Sequence, residues 1–184
     1  MSTEQDTTEP LLANWQERGE LFENLQISLR YYRRREWFFD KCEKLCNSLT
    51  VVGGTAVVSQ VFAGWPLALG VFIALSGVLP LVFGFAEQRF LFRSLAVQTC
   101  EQIGEVEVHS ALADVTDEWL ESVKRAYAKL QIQEPPTLAI LTLMCEQDHF
   151  VSRGIYNKVK PIPWWVRVFA HFGDLKPAKD YVIE

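Results

Sequence analysis

Four cysteines and three histidines are the residues of this 184-residue sequence best suited to metal or nucleophile chemistry. Their spacing organises neither. Cys42 and Cys46 stand four apart, on one face of any helix, while Cys100 and Cys145 are remote from them. Zinc signatures need paired, short-spaced ligands, and His109, His149 and His171 are scattered. Only Cys145, Asp148 and His149 lie close together, without that paired spacing. The thiols read as small apolar packing residues, kept reduced on the cytoplasmic side of a membrane. No glycine-rich phosphate loop, nucleophile elbow or H-E-x-x-H helix is present. Glu105 and Glu107, two apart, diverge on a helix and belong to a solvated face. The sequence therefore predicts no catalytic, cofactor-binding or metal residues, and a protein that is not an enzyme.

The better-ordered residues are those that pack or face lipid. Gly70, Gly77 and Gly84 recur at seven-residue steps, with Ala74 one turn from Gly70. Small residues in register let helix backbones approach closely, so these four form a candidate assembly face. Its partner is either the other helix of the same hairpin or a neighbouring subunit. Ser48, Thr55 and Ser59 share one face of the preceding apolar stretch, either lining a pore or hydrogen-bonded within the hairpin. Arg33, Arg34 and Arg35 read as a topology signal and solvated face, with anionic headgroups as the functional alternative. Trp65 marks a membrane interface, and so do Trp164 and Trp165 unless their segment folds back onto the other helices.

These residues are positioned by two uncharged apolar stretches, about 45–63 and 67–86, separated by Gly64-Trp65-Pro66. A helix rises ~1.5 Å per residue and a hydrocarbon core is ~30 Å thick, so each stretch approaches membrane length. The expected fold class is an all-α membrane protein: a two-transmembrane helical hairpin flanked by long cytoplasmic helices. A mean hydropathy near zero and a net charge of −5 conceal this. The acidity argues against nucleic acid as a partner. Met1 to Pro10 is polar, with no signal peptide. Cations flank the hairpin on one side, Arg30 to Lys44 before it and Arg89 and Arg93 after it, which predicts an inner-membrane, multi-pass protein with both termini cytoplasmic.

The expected divisions are a disordered N-terminus at 1–11, an amphipathic helix at 12–46, the hairpin at 47–86, a helical extension at 87–134 and a helical or irregular segment at 135–184. Within the extension a helix is expected over Asp114 to Leu130, capped by Asp114 or Thr116 and ended by Pro135-Pro136. A shorter helix is expected over Thr137 to Phe150. Pro80 introduces a bend in the second apolar stretch.

The run Arg30-Tyr31-Tyr32-Arg33-Arg34-Arg35, the close-coupled hairpin and the helix opening Glu87-Gln88-Arg89-Phe90 resemble the SLATT families over roughly Leu21 to Val108. These are bacterial two-transmembrane domains associated with nucleotide-second-messenger and nucleotide-sensing conflict systems. The resemblance implies an oligomerising inner-membrane effector, pore-forming or membrane-perturbing, in an anti-phage system. Its trigger would reach the cytoplasmic helices from a sensor or nucleotide-signalling protein. The implied partners are the lipid bilayer and further copies of the chain, and no cofactor comes with the family. The alternative is a membrane-anchored adaptor whose hairpin positions a helical domain for a protein partner.

Overall fold

The computed structural model describes residues 8–53, 66–112, 115–155, 160, 162–173 and 181. Six helices account for nearly all of them: α1 Thr8–Gly53, α2 Pro66–Phe83, α3 Phe85–Leu112, α4 Asp117–Gln133, α5 Ala139–Ser152 and α6 Trp164–Phe169. Local chemistry sets their ends. The 46 residues of α1 contain no proline after Pro10, so nothing breaks the backbone ladder. Thr116 caps α4, its Oγ1 accepting from the Trp119 amide, with Asp117 and Glu118 in the first turn. At the other end of α4, Pro135 holds Glu134 in extended backbone, which stops the helix. Gly154, at φ +77°, closes α5, and the amide of Ile155 returns to the carbonyl of Phe150.

The chain divides into two compact units, residues 1–32 with 94–184, and residues 33–93. In the first unit, Leu21 and Leu25 of α1 pack with Val106 of α3 and with Leu120 and Val123 of α4. A second cluster in that unit joins Ile140 and Leu143 of α5 to Ile162, Val166, Ala170 and Tyr181. In the other unit the packing is aromatic. Phe39 stacks on Phe92 at 5.8 Å and lies 6.2 Å from Phe85, while the Arg35 guanidinium sits 4.7 Å over Phe39 and 5.1 Å over Phe92. Arg89 bridges Asp40 and Glu43 at 3.2 and 2.9 Å.

The all-helical expectation is met among the described residues, and the transmembrane one is corrected. No helix among them is long and apolar enough to cross a membrane. The expected second span ends early: α2 has 18 residues, about 27 Å at ~1.5 Å each, against a core of ~30 Å. Gly84, at φ +57°, interrupts the chain before α3 begins. The expected first span is described only to Gly53. There it is the end of a long helix that carries Glu43 and Lys44 between two and three turns before Gly53, followed by Asn47, Ser48 and Thr50. The two-span hairpin falls, and with it the transmembrane, pore-forming, inner-membrane and multi-pass assignments and the topology with both termini cytoplasmic.

Candidate interaction site

The α2 helix, which contains no charged residue, presents a stripe that no described residue covers. Val71, Leu75, Val78 and Val82 are 53%, 53%, 52% and 71% exposed, and Phe83 is 58% exposed. Steps of four, three and four residues keep these side chains on one face of a helix with ~3.6 residues per turn, as in an apolar stripe that seats against another element. Ala74 and Gly77 belong to the same helix, and a Cβ added at Gly77 would meet open space. In the same unit Trp37 and Phe90 are 59% exposed each, with Lys41 and Arg89 over their rings.

The unit of residues 1–32 and 94–184 carries a different site, a polar network threaded through α1, α4 and α5. Tyr31 and Tyr32 are buried. The Tyr32 hydroxyl donates to Glu134 Oε2 at 2.9 Å, and Tyr31 Oη accepts from the Leu138 amide at 3.2 Å. Ser28, one turn before Tyr32, bonds to the Tyr127 hydroxyl at 3.1 Å. Burial raises the Tyr32 pKa, and the adjacent Glu134 carboxylate raises it further. Burial also pushes Glu134 up, against the opposing Tyr32 hydrogen bond. Arg30 donates to the Asp148 carbonyl and to Ser152 Oγ, while Arg153 pairs with Glu23. The network ties the ends of α4 and α5 to α1. It presents acceptors that are already partnered, not a free nucleophile or base.

The residues singled out from the sequence separate. Gly70, Ala74 and Gly77 lie together in α2. Gly84 does not: it is the positive-φ residue between α2 and α3, where its Cβ would meet the Glu87 side chain at 3.4 Å. Ser48 is exposed near the end of α1, while Thr55, Ser59 and Trp65 lie outside the described residues. Arg33 is exposed, and Arg34 and Arg35 are half-buried. The Trp164-to-Phe169 segment packs onto α5 through Val166, leaving Trp164 77% and Trp165 39% exposed.

Cys46 and Cys145 are buried, in keeping with the reading of the thiols as packing residues, whereas Cys42 is half-buried and Cys100 is exposed. Burial raises the Cys42 thiol, and neighbouring Cys46 adds to this. Among the described residues no group of His, Cys, Asp and Glu could hold a metal ion. Sequence reasoning missed the tyrosine network, whose partners lie about a hundred residues apart. The adjacent Tyr31-Tyr32 pair inside an apolar stripe was its only local sign. No protein family, curated protein or solved structure matches this chain.

Proposed function

We propose that this protein acts by assembly and not by catalysis, with α2 pairing against α2 of a second copy. The observation that carries this reading is the exposed 4-3-4 stripe of Val71, Leu75, Val78 and Val82. An uncharged partner helix of the same spacing fits it, and the second copy supplies one. Ala74, small and at the edge of that stripe, leaves room for the second helix to approach. The other unit, its helix ends tied by partnered polar groups, then serves as the rigid body that such a dimer presents to a protein partner. Self-pairing also supplies the assembling part of the function that the SLATT resemblance implies. Sedimentation velocity on the full chain tests it. The wild type should run as a dimer or higher oligomer, and Val78→Glu as a monomer with unchanged helical circular dichroism. A wild type that is monomeric at every concentration overturns the proposal, and so does a Val78→Glu chain that keeps the wild-type mass.

A further inference from the structure

His149 is a buried titratable group that neither the proposed assembly nor the polar network uses. It lies on α5, 1% exposed, and neither ring nitrogen has a hydrogen-bond partner among the described residues. A neutral imidazole carries one donor and one acceptor, and buried groups of this kind are almost always paired. Its surroundings discourage the charged form. From α1 come Arg30 and Glu23, and just past α5 stands Arg153; Glu146 and Asp148 are the ionisable neighbours along α5 itself. Burial, then Arg153 and Arg30, hold the ring's proton affinity below the usual histidine value, and Glu23 opposes them weakly. The same residues join α5 to α1: Arg30 reaches Ser152 and the Asp148 carbonyl, Arg153 pairs with Glu23, and Ser152 Oγ bonds to the His149 carbonyl at 2.6 Å.

We propose that His149 is an acid-operated latch, whose protonation detaches α5 from α1 and bares Leu141 and Cys145, which lie at four-residue steps on its face. A proton on this ring has no described acceptor to receive it and two guanidiniums to repel it. The open form, in which the ring meets water, takes the proton at about pH 6.5. The closed form takes it only at lower pH. Stability of the closed form is therefore complete above that value and is lost as pH falls through the depressed one. One proton changes the opening equilibrium by about tenfold per pH unit within that window.

Hydrogen exchange on the full chain, compared at about pH 7.5 and about pH 5.5, reads the latch directly. After correction for intrinsic exchange, opening of 139–152 should rise by up to about tenfold between the two pH values, all of it below about pH 6.5, while 117–133 holds its protection. His149→Gln should flatten the response, and Glu23→Gln should preserve it. Unchanged wild-type protection of α5 between the two pH values overturns the proposal without any variant. A response that survives in His149→Gln, or disappears in Glu23→Gln, assigns the trigger to the carboxylate and also overturns it.

Discussion

Removing the Tyr32 hydroxyl leaves Glu134 without the one side-chain hydrogen bond that favours its charge. Tyr32 is 1% exposed, and its hydroxyl lies 2.9 Å from Glu134 Oε2. Tyr32→Phe deletes a single oxygen, so the core keeps its shape and the loss is the hydroxyl's bonds, that to Glu134 and a side-chain contact with Ser28. A hydrogen bond to a charged group contributes roughly 1.5–3 kcal/mol, and about 2 kcal/mol is expected here, because Glu134 is only half-buried. With a urea slope of about 2 kcal/mol/M, the unfolding midpoint should fall by about 1 M. The pH dependence is more specific. Burial raises Glu134 above its ordinary value of 4.5 while Tyr32 pulls it down, so the variant's folded carboxyl rises further. A group raised in the folded state supports stability at low pH and loses that support as pH rises through its folded value. The Tyr32→Phe penalty should therefore shrink to that of a neutral bond, about 1 kcal/mol, where Glu134 is protonated, and reach its full size above the raised value. Urea titrations followed by tryptophan fluorescence on both sides of that range measure it, with Glu134→Gln completing a double-mutant cycle. An unchanged midpoint, or a penalty identical at both pH values, would refute the reasoning.

Two further substitutions test the backbone and one tests the packing. Gly84→Ala should cost about 1–2 kcal/mol, because an L residue at φ +57° is strained. Gly77→Ala, in a helix interior with open space around it, should stabilise by about 0.5–1 kcal/mol; thermal melts of the pair should shift in opposite directions, and a common direction would contradict this backbone account. Leu141→Ala empties a fully buried position on α5 and should cost about 2–5 kcal/mol in urea unfolding; a loss below that range would mean that the site collapses around the smaller side chain.

The helices were legible where the signal is local. The Thr116 cap with its acidic first turn and the Pro135-Pro136 stop placed α4 to within a few residues, since caps and prolines act on their own backbone. The helix expected over Thr137 to Phe150 appears as Ala139–Ser152, opening after the same two prolines without a side-chain cap. The glycine steps misled at one position. Seven-residue spacing puts Gly70, Gly77 and Gly84 on one face only if the helix continues, and Gly84 is where it stops. A glycine in a packing surface and a glycine in a left-handed turn are the same letter. The conformation of the neighbouring backbone separates them, here a second helix opening at Phe85.

Composition, period and local breakers determined that the chain is helical, placed α4 about three residues early at each end, and marked an uncharged helix over 67–86 that the structure ends at Phe83. Each of these is decided by backbone propensity and neighbours within a turn or two. Tertiary structure alone decided that Tyr32 meets Glu134, 102 residues away, and that His149 is buried near Arg30 and Arg153 with no described hydrogen-bond partner. It also decided that Val71, Leu75, Val78 and Val82 are left uncovered by the described residues. Burial and pairing are properties of what a side chain is packed against, and a hundred residues of intervening chain leave no local periodicity from which to read them.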